Sequence, residues 1–137
     1  INLIRYLFGE VTIDHKKISK DGEGFVTLKT KSDANIIFNT QFTTAKKWIE
    51  KLHLNFANGR VIVKLPTPLY KNSSASIKIE NYKNGKLEKP WIKWGWSFRN
   101  QSKAFIDYIK KNKFNKSLCS GKNGLRDIQI IENIFYN

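Results

Sequence analysis

From residue 48 to 56 apolar and polar positions alternate. Trp48, Leu52, Leu54 and Phe56 share one parity and Ile49, Lys51, His53 and Asn55 the other, with Glu50 alone breaking the apolar set. A period of two is the signature of a strand with one face turned to a core. Asn58-Gly59 follows, a dipeptide suited to the two positive φ angles of a type I′ turn, and residues 60–65 return as a second strand that Pro66 and Pro68 end. Strands are likewise predicted over 11–18, 24–30 and 35–42, separated by turn formers at 20–24 and 31–34. In the third, Ile36, Phe38, Thr40 and Phe42 fall on one face. Another hairpin, 75–82 with 86–92, flanks Asn84-Gly85, and sets Ile77 and Ile79 opposite Lys78, Glu80 and Tyr82. Seven strands with mostly short connections predict a largely antiparallel sheet.

Toward both ends the period becomes helical. Leu3, Ile4, Leu7 and Phe8 form a stripe closed by Gly9, and the absence of a cap before Ile1 reads as a helix cut inside itself. Ser97 is expected to cap a helix from 98 to about 113, with Phe98, Phe105, Ile106 and Ile109 facing inward. Residues 114–123 read as a loop. A last helix, 124–135, sets Leu125, Ile128, Ile131 and Phe135 at core spacing, with Ile130 and Ile134 widening the stripe. Strands followed by helices predict an α+β fold of two layers, an open-faced sheet covered on one face by helices, in a single domain over 1–137.

Composition narrows the class. A chain of 137 residues that is 40% apolar with nine Phe has the means to build a core. No run approaches the roughly 18 apolar residues of a membrane span, and no signal segment opens the chain, so a soluble, cytoplasmic protein is expected. The single Cys119 forms no internal disulfide, which suits a reducing compartment. The formal charge of +14 raises nucleic acid as a partner, but 21 lysines against 4 arginines, spread through every segment, favour a solvated surface. A lysine-rich nucleic-acid-binding module therefore stands as the alternative, beside a stand-alone carbohydrate-binding or assembly domain.

Candidate chemistry is sparse. His15 and His53 have no Cys or carboxylate at ligand spacing, so no metal is expected. Gly121-Lys122-Asn123-Gly124 lacks the upstream glycine and the Ser/Thr of a phosphate loop and reads as a turn that starts a helix. Trp91, Trp94 and Trp96 are amphipathic rings able to lie on a sugar or a base, or to pack the crossover from sheet to helix.

Three stretches carry a resemblance. Ile1-Asn2-Leu3-Ile4-Arg5-Tyr6-Leu7-Phe8-Gly9-Glu10 resembles the segment His-x-Ile-Asp-Leu-x-Arg-(Trp/Tyr)-Leu-x-Gly-Glu of the glucose-fructose oxidoreductase, inositol dehydrogenase and rhizopine-catabolism (Gfo/Idh/MocA) family. The strand, turn, strand unit over 51–64 resembles a hairpin of its C-terminal domain. Phe98 to Ile109, then Ser120-Gly-Lys-Asn-Gly124-Leu125 and residues 128–136, resemble its closing pattern of an aromatic, a Phe-x-x-x-Ile helix, Gly-x-x-Gly-Leu and an Ile-Glu-x-Ile helix. The resemblance implies the substrate-binding and oligomerisation half of an NAD(P)-dependent oxidoreductase acting on a sugar or cyclitol. It implies an absent Rossmann domain holding NAD or NADP, self-association through an open sheet face, and no activity of this half alone. No catalytic residue is carried over. Glu88-Lys89-Pro90 matches the letters of the family's lysine motif but lies in the wrong domain. Asn2 stands where the family has an aspartate, which keeps a hydrogen-bonding role there but not a proton relay. Asn2, Arg5, Trp94 and Trp96 are the candidate substrate contacts.

Overall fold

A computed structural model describes residues 1–42, 48–112 and 120–136. The elements run α1 (Asn2–Phe8), β1 (Val11–Ile18), β2 (Gly24–Thr30), β3 (Asn35–Thr40), β4 (Glu50–Phe56), β5 (Gly59–Leu65), β6 (Ser76–Asn81), β7 (Leu87–Glu88), α2 (Ser97–Lys111) and α3 (Gly121–Phe135). The fold is α+β. The seven strands form two antiparallel sheets rather than one, β1-β2-β3 and β4-β5-β6-β7, because each strand pairs with its sequence neighbour but β3 does not pair with β4. The chain divides accordingly into two compact units, residues 1–45 with 119–137, and residues 46–118. The connection at 43–47, the segment 113–119 and with it Cys119 lie outside the described residues.

The first unit is built around β2. Alternation there points Val26 and Leu28 inward, both 0% exposed, to meet Ile4, Val11, Ile130 and Ile134. Burying each such side chain contributes about 1.5–3 kcal/mol. Gly9 ends α1 at φ 81°, a left-handed angle only glycine adopts freely, and its N–H reaches the Arg5 carbonyl at 2.9 Å. Strand β3 stops at Thr40, before the expected Phe42, whose N–H leaves the ladder for the Glu23 carboxylate at 2.9 Å. The Ser120 hydroxyl accepts the Asn123 N–H at 3.2 Å, so α3 starts three residues before expectation and Gly121-Lys122-Asn123-Gly124 is its first turn. Its inner stripe is also rotated from the expected one. Asp127, Ile130 and Ile134 are buried, while Leu125 and Ile128 are exposed, because α1 draws the Asp127 carboxylate inward.

In the second unit the apolar parities meet in register. Leu52 and Leu54 of β4 lie opposite Val63 and Val61 of β5, which lie opposite Ile77 and Ile79 of β6. These side chains are only half-buried. The hairpin turn differs from the sequence expectation. Phe56 pairs with Gly59, so the loop is Ala57-Asn58, and neither residue takes the positive φ of a type I′ turn. Gly59 serves a steric need instead, since a Cβ there would sit 2.3 Å from the Glu80 carbonyl oxygen of β6. Strand β4 begins at Glu50, leaving Trp48 and Ile49 exposed. Strand β7 is cut to two residues, short of the expected 86–92, consistent with Pro90 having no N–H to give a ladder. Helix α2 starts at Ser97 with Trp96 as an N-cap that lacks a side-chain bond, and ends where Asn112 turns left-handed at φ 45°. Its expected inner stripe is not buried. Phe98, Phe105, Ile106 and Ile109 are all exposed.

Candidate functional site

Asn2 and Arg5 are brought together on α1, with Asp127 of α3 as their shared acceptor. Arg5 Nη1 donates to Asp127 Oδ1 at 2.6 Å and to the Asn123 carbonyl at 3.0 Å, and Asn2 Nδ2 donates to Asp127 Oδ2 at 2.7 Å. Arg5 Nε meets Glu10 Oε1 at 3.0 Å, with Nη2 on the same oxygen, and Arg126 Nε holds Glu10 Oε2 at 3.2 Å. The Arg5 and Asp127 side chains are 10% and 12% exposed. Burial pushes the Asp127 carboxyl up, but the hydrogen bonds from Arg5 and Asn2 outweigh it and hold the group below its usual range. The hydrogen bond from Arg5 likewise lowers Glu10, and Arg5 itself is raised chiefly by Glu10, then Asp127. A carboxylate ionised this firmly and engaged at both oxygens is a poor proton acceptor. Its effect is to fix α1 against α3.

The other two candidates lie in the second unit. Trp96 donates its Nε1–H to the Pro68 carbonyl at 3.2 Å, meets Phe98 edge to face at 6.1 Å between centroids, and carries the Lys71 ammonium 5.1 Å from its ring centre. It is engaged in packing. Trp94 is 43% exposed. Neither lines the cleft that Trp91 borders in this unit.

That cleft, of about 720 Å³, lies along the polar face of β4, β5 and β6. The register makes it. Lys51 and His53 alternate along β4, with Ile62 and Lys64 on β5 and Ser76 and Lys78 on β6. Lys51 is directly opposite Lys64, and His53, Ile62 and Lys78 form a row across the three strands. Residues 74 and 75, Ile77 and the segment 89–92 after β7 also line it, and the lining holds four lysines and no carboxylate. Lys78 Nζ pairs with Glu80 at 2.8 Å, and Glu80 also takes Arg60 at 2.8 Å. Lys78 first and then Arg60 lower the Glu80 carboxyl. Among the described residues Lys51, Lys64 and Lys89 enter no ion pair.

Sequence reasoning named Asn2 and Arg5 but missed their acidic partners, and it missed the lysine cluster. Glu10 and Asp127 could have been found by asking what an arginine on an apolar helical stripe pairs with. The lysine cluster needed the strand register, which turns residues scattered in sequence into neighbours.

The described strands pair only antiparallel. Among the described residues no group of three His, Cys, Asp or Glu could hold a metal, and no helix is long and apolar enough to cross a membrane. No protein-family model matches the chain, and no curated protein or solved structure matches it significantly.

Proposed function

We propose that this chain is the substrate-binding and assembly half of a cytoplasmic NAD(P)-dependent oxidoreductase acting on a sugar or cyclitol. The dinucleotide belongs to a Rossmann domain outside these residues. The observation that carries the proposal is the cluster of Arg5, Glu10, Arg126 and Asp127. These residues come from, or directly adjoin, the two terminal segments that resemble the Gfo/Idh/MocA family, and Arg5 and Asp127 are 122 positions apart yet hydrogen-bonded. Segments that resemble one family at both ends of a chain gain weight when their residues hold each other. The cleft supports the binding role, with donors for hydroxyl or acidic groups and the ring of Trp91 for the apolar faces of a polyol.

The coding sequence upstream of Ile1 tests this. It should encode a strand, a Gly-x-Gly-x-x-Gly turn and a helix, and the longer protein should change nicotinamide absorbance with a polyol substrate. A reading frame without that unit overturns the proposal. Titration calorimetry of the 137 residues with NADH and NADPH should give no heat of binding, and micromolar affinity for either counts against the proposal.

A further inference from the structure

We infer that the lysine cleft of the second unit is a binding site for a phosphomonoester, and that the sugar or cyclitol of the proposed reaction carries that phosphate. The inference rests on the proposed function only for the identity of the body attached to the anion.

The first argument is the opposition of Lys51 and Lys64. Residues directly opposite on antiparallel strands have Cβ atoms about 4.5–5.5 Å apart, and like charges there destabilise the pair. In the other unit the strand lysine Lys29 is answered by the bulge residue Asp14 at 2.7 Å, whereas Lys51 has only Lys64 across from it and Lys64 has Lys51 and Ser76. Here no carboxylate lines the cleft, and Lys89 adds a third ammonium without an ion pair among the described residues. The fourth, Lys78, shares Glu80 with Arg60, so that one carboxylate answers two cations. Such a concentration of positive charge is complementary to a dianion and is relieved by one.

The second argument is shape. A cleft of about 720 Å³ matches a small-molecule site, typically about 300–1,000 Å³. Trp91 lines it while 81% exposed, which leaves a large apolar ring without cover. A bare phosphate has no use for that ring. A phosphorylated ring compound does, since its C–H faces pack on the indole while its charge sits among the ammonium groups. The clustered cations are lysines, point charges suited to phosphate and lacking the fork that reads bases.

Titration calorimetry of the 137-residue chain at low salt separates the possibilities, with inorganic phosphate, glucose 6-phosphate, glucose and duplex DNA as probes. Glucose 6-phosphate is expected to bind about tenfold tighter than inorganic phosphate, with glucose giving no signal. Trp91→Ala should bring glucose 6-phosphate down to the affinity of inorganic phosphate. The double variant Lys51→Gln, Lys64→Gln should weaken both phosphates at least tenfold while melting no lower than the parent, since it removes a repulsion. Equal affinity for the two phosphates, or no binding of either, overturns the inference. Preferential binding of duplex DNA with a steep salt dependence overturns it too and marks the face as a polyanion surface. None of these failures touches the upstream coding sequence or the nicotinamide assay, because a neutral polyol would still serve the proposed reaction.

Discussion

The two units use the same ingredients to different ends. Each has an antiparallel sheet and an amphipathic helix of 15 residues. Yet every buried apolar residue among the described residues, from Ile4 to Ile134, belongs to the first unit. Helix α3 has a serine cap and a buried carboxylate seized by α1, whereas α2 has no side-chain cap and buries nothing. Amphipathicity alone therefore does not seat a helix. A fixed polar contact gives the apolar stripe a single rotation, and without one α2 keeps its stripe in solvent. In the second unit order comes from the ladder and from Gly59, and its polar face is left available for a ligand.

The contrast can be broken most sharply in the first core. Leu28→Ala should destabilise the protein by about 2–5 kcal/mol in urea unfolding, and the half-buried Leu54→Ala in the second unit by clearly less. Equal losses would abolish the distinction. Arg5→Ala leaves the Asp127 carboxylate buried without its cation, and about 3 kcal/mol should be lost. The same cluster sets the acid response. Asp127 and Glu10 are both lowered in the folded state, so their contribution is complete above the ordinary carboxylate range of about pH 4 and is lost as pH falls through their lower folded values. Acid titration of Arg5→Ala followed by circular dichroism should be flatter than that of the parent. Gly59→Ala, which forces a Cβ toward the Glu80 carbonyl, should cost about 1–3 kcal/mol and lower amide protection in β5 and β6 but not in β1 to β3. Phe105→Ser on the exposed face of α2 should change stability by less than about 0.5 kcal/mol.

Strands were legible where turn formers bracket them. β1 and β2 span 11–18 and 24–30 as the pattern predicts, and the faces of Ile77, Ile79, Lys78 and Glu80 are as alternation gives them. What alternation could not say was which strands share a sheet, since a period of two is the same in one sheet or two. It also misplaced the Asn58-Gly59 turn, because a glycine needed for close approach looks in sequence like one needed for positive φ. The α3 stripe was misread because only apolar residues were counted as inner, and Asp127 is buried by its partner rather than by its own nature. The cleft was invisible for a related reason, Lys51 and Lys64 being 13 positions apart until the register sets them face to face.

The first unit is discontinuous, its last helix separated from its sheet by the whole of residues 46–118. On a ribosome, which delivers the chain from its N-terminus, the second unit can complete itself as soon as β7 and α2 emerge. The earlier sheet must wait with Val26 and Leu28 uncovered until Ile130 and Ile134 arrive. Nascent chains arrested before α3 should thus be the species that chaperones hold, and slowed translation across 120–136 should lengthen that exposure.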